Sequence, residues 1–162
     1  MTIATNREAL DNGSPSGCRV RGLARQVIDG AGTTRVLTAS ESGALCVFST
    51  AAGQVYTLPV IGADDVGMEF EFSVTVTGTG TYSVDTGSAA NFIGGGVAYV
   101  GSGAGESDVF AANPASTVSI DIDSATAGEE AGGRFTITSI STTVWAIGGI
   151  VAGTGTGVTP FA

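Results

Sequence analysis

The side chains of this chain that could do chemistry are mainly carboxylates, and several of them occur in pairs. The pairs are Asp64 with Asp65, Asp121 with Asp123, and Glu129 with Glu130. Their oxygens suit a hard cation such as Ca²⁺, but Ala125 stands four residues beyond Asp121, where an EF-hand would need a third oxygen ligand. A glycosidase would need two carboxyl groups facing each other across a sugar cleft. We therefore expect solvated surface carboxylates, with no catalytic residue and no metal or cofactor.

Composition excludes much of the remaining chemistry. The 162 residues contain neither His nor Lys, so a Ser-His-Asp hydrolase, a Cys-His protease and a His-containing zinc site are impossible within one chain. Six Arg oppose 15 Asp and Glu for a net charge of −9, which argues against a general nucleic-acid or anionic-membrane binder. The longest nearly apolar stretch, Val144 to Ala152, is too short to span a membrane. We predict a protein that is not an enzyme and binds neither nucleic acid nor membrane.

The two cysteines and the first ten residues indicate the cellular compartment in which the chain is made and folds. Cys18 and Cys46 are too few for a disulfide framework and too far apart for a CxxC motif. We therefore expect Cys18 to be a free thiol in the leading segment and Cys46 to be a thiol in the core of a strand. Met1 to Leu10 lacks the basic start and apolar run of a secretory signal. Synthesis and assembly in a cytoplasm are expected.

Charge is distributed unevenly along the chain. Residues 1–35 carry a net charge of +2, and residues 36–162 carry −11. Asn12 to Gly17 is a cluster of turn formers that interrupts regular structure. These features predict an extended N-terminal arm over residues 1–34, followed by a β domain over residues 35–162 that ends in a short Gly/Thr-rich tail.

Five arginines give the leading segment its positive charge and are its candidate partner contacts. They are Arg7, Arg19, Arg21, Arg25 and Arg35. Guanidinium groups form forked pairs with carboxylates, which would let the arm dock on an acidic protein surface. Docking on its own acidic domain, or on that of a sister subunit, is an equal alternative. Nucleic-acid binding ranks third, because the arginines are spread along the segment without interleaved aromatic residues.

Residue types and their order predict an all-β fold. Val, Ile and Thr make up 48 of the 162 residues, and short apolar runs are separated by turn-forming residues. Met68 to Thr77 alternates apolar and polar residues and, with Thr81 to Val84, predicts a hairpin. Arg134 to Ile140 and Val144 to Ile147 predict a second, and Gly94 to Gly96 is interpreted as a loop. We expect an antiparallel β-sandwich or jelly-roll-like barrel of about 8–10 short strands.

Two aromatic residues near the C-terminus are candidate contacts. Trp145, on a predicted strand, could be a sugar-stacking platform, although packing in the core or at a subunit interface is the better interpretation in a chain with 7% aromatic residues. Phe161 follows Pro160 and would be exposed unless something covers it, and a neighbouring subunit is a plausible cover.

The order of several short motifs resembles small structural proteins of tailed-bacteriophage virions. The motifs are Val36 to Gly43 (VLTASESG), Gly53 to Pro59 (GQVYTLP), Val66 to Phe72 (VGMEFEF), Gly133 to Phe135 (GRF) and the late Trp145. The resemblance covers roughly residues 35–150 and leaves the arm uncovered. It implies a capsid decoration (cement) or head-fibre protein without catalysis, on the outer surface of the virion. Such a protein contacts the major capsid protein and is a homo-oligomer, often a trimer.

Two other functions stay open from the sequence. A head or tail fibre or spike component that binds host-surface carbohydrate is favoured by the Gly/Thr/Ser-rich loops and by Trp145. A free carbohydrate-binding module or a small enzyme is the third. Glycan binding that is lost on Trp145→Ala substitution would favour either of these over the decoration protein.

Overall fold

The computed structural model describes residues 25–30, 34–102, 106–123, 128–154 and 156–162. These residues form eleven strands and two 3-10 helices, Ala39–Glu41 and Ala63–Asp65, so the prediction of an all-β fold is confirmed. The strands are β1 Val27–Asp29, β2 Thr34–Val36, β3 Leu45–Phe48, β4 Gln54–Thr57, β5 Glu69–Val74, β6 Tyr82–Asp85, β7 Phe92–Gly101, β8 Ser107–Ala112, β9 Ser119–Ile122, β10 Arg134–Ser139 and β11 Val144–Gly153.

The strands form two mixed sheets. The large sheet has seven strands in the order β1-β3-β5-β10-β11-β7-β8, and the small sheet has four in the order β2-β4-β6-β9. Of the nine strand pairs in this part of the chain, five are parallel and four antiparallel. The expectation of antiparallel pairing is therefore wrong for more than half of the pairs.

Four of the five parallel pairs arise because the first six strands alternate between the two sheets, and the fifth joins β7 to β11. Each connection from β1 to β2, β3 to β4 and β5 to β6 crosses from the large sheet to the small one, so the neighbour of a strand within its sheet is the strand two places further along. The predicted hairpin of β5 with β6 is wrong for this reason. Its turn is tied to other segments instead, since Gly78 N–H donates to Glu129 O at 2.8 Å and Thr79 N–H donates to Ala51 O at 2.7 Å. Period-two alternation is the same for a hairpin and for strands in facing sheets.

The second predicted hairpin is confirmed, because β10 and β11 pair antiparallel from Arg134↔Ile150 to Ser139↔Trp145. The interpretation of Gly94 to Gly96 as a loop is wrong, since all three glycines lie inside β7. Gly95 has a φ of +101°, and a Cβ there would overlap the Ile147 carbonyl oxygen of β11. These glycines serve close backbone approach rather than a turn.

A cluster of aromatic rings fills the space between the two sheets. Phe48 of the large sheet stacks on Tyr82 of the small sheet with ring centroids 4.9 Å apart, and Phe72 stacks on Phe135 at 5.2 Å. Such pairs contribute about 0.5–1.5 kcal/mol beyond the burial of their area. The Tyr56 hydroxyl donates to Val47 O at 2.8 Å.

Both ends of the described chain are attached to the sheets. Part of the segment predicted as an arm forms β1, which pairs parallel with β3 and buries Ile28. At the other end, Phe161 bridges to Ile120 of β9. Cys46 is a free, buried thiol on β3, as predicted, and burial raises its pKa to about 12. Cys18 lies outside the described residues.

Candidate interaction surface

The outer surface of β7, β8 and β11 is an apolar patch, which we call the β7–β8–β11 face. It consists of Ala98, Val100, Val109, Ala111 and Ile150. Strand register aligns Ile150 with Ala98 and Ala98 with Val109 across three neighbouring strands. Val109 is 74% exposed, Ile150 49% and Val100 47%. Contiguous exposed apolar residues mark interaction sites, whereas single ones do not.

The face points to solvent because side chains alternate along each strand. Val97, Tyr99 and Val151, which occupy the intervening positions of β7 and β11, are all buried on the inner side of the sheet. Arg134, which pairs with Ile150 in the ladder, borders the face on the side of β10.

A polar cluster adjoins this face on the outer surface of the same sheet, on β5 and β10. The guanidinium groups of Arg25 and Arg134 donate to the two carboxylate oxygens of Glu71. Arg25 also donates to Gly43 O at 2.6 Å and to Ala44 O at 2.7 Å. Burial lowers the pKa of Arg25, and the carboxylate of Glu69 opposes this effect. The cluster attaches the chain just before β1 to β3 and β5.

Arg35 also bonds within its own chain, to the carboxylate of Glu41. Burial alone would raise the pKa of Glu41, but the hydrogen bonds from Thr38 and the pairing with Arg35 outweigh it and lower the pKa below its ordinary value. Of the predicted contact arginines, Arg25 and Arg35 thus pair with their own domain. The other three, Arg7, Arg19 and Arg21, lie outside the described residues.

The two candidate aromatic contacts have different positions. Trp145 is completely buried, with its ring centroid 6.2 Å from that of Phe70, so its ring offers no surface for a sugar. Phe161 is half-buried and packs against the core of its own chain. The exposed large apolar side chains in the described ranges are all Val or Ile.

The three carboxylate pairs differ in hydrogen bonding and burial, whereas the sequence predicted solvated surface carboxylates for all of them. Asp65 accepts a hydrogen bond from Gly62 N–H at 3.0 Å, and Asp121 lies 2.7 Å from the Ser83 hydroxyl. Glu129 is only 5% exposed, so the expectation of a solvated surface carboxylate is wrong for this residue. No three Asp, Glu or Cys side chains within the described ranges converge closely enough to hold a metal ion.

Sequence reasoning did not single out Glu71 or the β7–β8–β11 face. Glu71 occupies an ordinary outward position of an alternating strand, and its importance comes from two arginines that lie 46 and 63 residues away in sequence. The face comes from strands whose neighbours are set by the topology. No signal in the sequence marks either of them.

Comparison with protein-family models, with curated proteins and with solved structures found no match. No helix in the described part of the chain is long and apolar enough to cross a membrane. The structure itself defines a domain of two mixed β-sheets, with an apolar outer face on β7, β8 and β11 of the large sheet and an arginine–glutamate cluster beside it on β5 and β10.

Proposed function

We propose that this chain is a non-enzymatic structural protein of a tailed-bacteriophage virion. It decorates the outer surface of the capsid as a homotrimer and stabilises the shell by bridging major capsid subunits. The sequence resemblance supplies the class of particle. The observation that carries the bridging role is the pair of separated attachment regions on one sheet.

The two regions lie near opposite edges of the large sheet. Arg25, the first described residue, and β1 lie at one edge of the large sheet, whereas the β7–β8–β11 face ends at the other edge, formed by β8. Seven strands at the usual spacing place these edges roughly 28 Å apart. A rigid body with contacts at both edges can engage two neighbours at once.

Bridging of this kind stabilises a shell by mass action, because a protein that binds only the assembled form shifts the equilibrium toward it. Weak contacts suffice when they are repeated, since the first contact raises the effective concentration of the next. Residues 1–24, with Arg7, Arg19 and Arg21, supply further positive charge for an acidic shell surface.

The carbohydrate-binding alternative has less support. Sugar recognition commonly uses an exposed aromatic ring, and the single tryptophan, Trp145, is completely buried.

The test uses capsids of the source phage that lack this protein. We expect Val109→Asp combined with Ile150→Asp to reduce the number of bound copies per capsid at least about tenfold in sedimentation assays, because two carboxylates would be desolvated at the contact. Val60→Asp, which adds a charge at an exposed valine between β4 and β5, is the matched control and should bind normally. Normal binding of the double variant rejects the face, and absence of wild-type binding rejects the function.

A second variant tests the arm. Deletion should stop at residue 24, because removing residues 25–34 also removes β1 and the Arg25 contacts. We expect the shortened chain to fold normally by circular dichroism and to bind capsids more weakly. Light scattering of both chains reports whether the oligomer is a trimer.

A further inference from the structure

Two carboxylate oxygens lack hydrogen-bond partners at the end of the large sheet where β7 and β11 finish and β8 begins. These are Oε2 of Glu106 and Oε2 of Glu129, and both atoms are buried. Glu129 is 5% exposed as a whole. Burial of a charged oxygen without a partner is costly, and such groups in native proteins often indicate an ion or a water molecule.

Each of the two carboxylates lies beside one glycine of a neighbouring pair. Gly101 of β7 and Gly153 of β11 are partners in the parallel ladder. A Cβ at Gly101 would lie 2.9 Å from Glu106 Oε2, and a Cβ at Gly153 would lie 3.1 Å from Glu129 Oε2. The absence of side chains at these two neighbouring positions makes room for both carboxylates. The same point above Gly153 lies 3.1 Å from Cε2 of Tyr99, which places the phenol ring beside them.

None of the arginines in the described ranges neutralises these carboxylates. Arg25 and Arg134 pair with Glu71, and Arg35 pairs with Glu41. Burial raises the pKa of Tyr99, and the negative charges of Glu106, Glu129 and Glu130 raise it further, in agreement with an uncompensated negative field at the ring.

The site also has a fixed ligand geometry and space for water. The Thr154 hydroxyl donates to Glu129 Oε1 at 3.1 Å and orients the carboxylate, so that Oε2 stays available. Beside Glu106 lies a cavity of about 250 Å³, lined in part by Tyr99, Asp108 and Thr156. A cavity of this size holds several water molecules.

We propose that Glu106 and Glu129 bind a divalent cation, with Ca²⁺ the best fit. The oxygen ligands are hard, and Ca²⁺ accepts irregular coordination completed by water, whereas Mg²⁺ demands near-octahedral geometry. Two carboxylates without a third acidic ligand predict weak binding, with a Kd of about 10⁻⁴–10⁻³ M. The bound ion links the end of β7 and the start of β8 to the segment that precedes β10. This inference does not depend on the proposed function.

The first experiment is thermal unfolding of the full chain with 10 mM CaCl₂, with 10 mM MgCl₂, or with NaCl at equal ionic strength. We expect Ca²⁺ to raise the Tm by about 3–6 °C relative to NaCl, and Mg²⁺ to have a smaller effect. Glu106→Gln and Glu129→Gln should abolish the Ca²⁺ shift. Each should also unfold at an equal or higher Tm than wild type without Ca²⁺, because it removes the repulsion between the two carboxylates. Glu130→Gln, which removes the neighbouring charge, is the matched control and should retain the shift.

The second experiment uses Tb³⁺ as a luminescent substitute for Ca²⁺. Excitation of tyrosine should give sensitised Tb³⁺ emission that excess Ca²⁺ displaces, and Tyr99→Phe should remove most of this emission while it leaves the Ca²⁺ shift in Tm intact. A Ca²⁺ shift that persists in the Glu106→Gln/Glu129→Gln double variant would overturn the proposal. So would a wild-type Tm that does not change when Ca²⁺ replaces NaCl.

Discussion

The first six strands and the last five are built in different ways. From β1 to β6 the chain alternates between the sheets, and large rings such as Phe48, Phe72 and Tyr82 fill the space between them. Of the last five strands, β9 joins the small sheet, whereas β7, β8, β10 and β11 complete the large sheet and approach each other closely at glycines, among them Gly95 and Gly149.

This difference predicts opposite sensitivities to mutation. The first region is held by large side chains, so deleting their atoms creates cavities. The second is held by close backbone contacts, so adding atoms forces strands apart. The β7–β8–β11 face and the Glu106–Glu129 site both lie in the second region, where Gly101 and Gly153 leave space beside the two carboxylates.

Truncation of the aromatic core should have the largest effect. Phe72 is completely buried between the stacked rings of Phe48 and Phe135. We expect Phe72→Ala to lower the free energy of unfolding by about 3–5 kcal/mol, measured by urea denaturation. Phe161→Ala removes the same atoms from a half-buried ring and should cost clearly less. Equal losses for the two variants would contradict a core concentrated in the first region.

An added methyl group in the second region should have the next largest effect. Gly95→Ala combines an unfavourable φ of +101° with overlap on the Ile147 carbonyl, and we expect it to destabilise by about 1–3 kcal/mol. Gly148→Ala is the matched control on the paired strand, because a Cβ there has no neighbour within 4 Å. It should be neutral or slightly stabilising. If both substitutions have the same effect, close backbone contact is not what holds β7 to β11.

The smallest effect at neutral pH is expected at Tyr56, whose hydroxyl accepts hydrogen bonds from Gly30 N–H and the Gln54 amide at 3.0 Å each. Tyr56→Phe should cost about 0.5–1.5 kcal/mol at neutral pH, because the hydrogen bonds between these donors and the phenol are lost. Urea denaturation at neutral pH measures this difference against wild type.

The pH dependence of the same variant sharpens the comparison further. Burial raises the pKa of Tyr56 to about 12, from 10.0. Because the folded pKa is the higher one, the contribution of the neutral phenol is complete below pH 10 and is lost as the pH rises toward 12. Unfolding free energies measured from pH 7 to 12 should therefore fall less steeply above pH 10 in Tyr56→Phe than in wild type. Parallel curves would show that the phenol does not titrate in this way. Cys46→Ala is the control, because burial of the Cys46 thiol should cause a similar loss of unfolding free energy, which begins near pH 9.

Much of the secondary structure could be predicted from the sequence, but the strand neighbours could not. Alternation located β5, and two successive strand-like runs located the β10–β11 hairpin. The partner of β5 depends on where the chain crosses between sheets, and period-two patterns carry no information on that. Glycines were ambiguous for a similar reason, since Gly95 suits a turn and a close strand contact equally well.

The candidate surfaces were less predictable than the fold. The arginine-rich leading segment could be recognised from charge alone, but the partner of Arg25 is Glu71, on a strand that contact with β3 brings into reach. Glu129 belongs to a predicted acidic turn, yet its burial beside Gly153 follows from the end of β11.

The amino-acid sequence by itself determined that this protein is β-rich, that its charge is divided between a positive leading segment and a negative body, and that histidine chemistry is excluded. These properties depend on residue type and local periodicity, which are additive along the chain. Only the tertiary structure decided which strands are neighbours, which apolar residues share an outer face, and which carboxylates lose contact with water. Those properties depend on contacts between residues far apart in sequence, and local free energies of strands and turns do not distinguish one set of long-range partners from another.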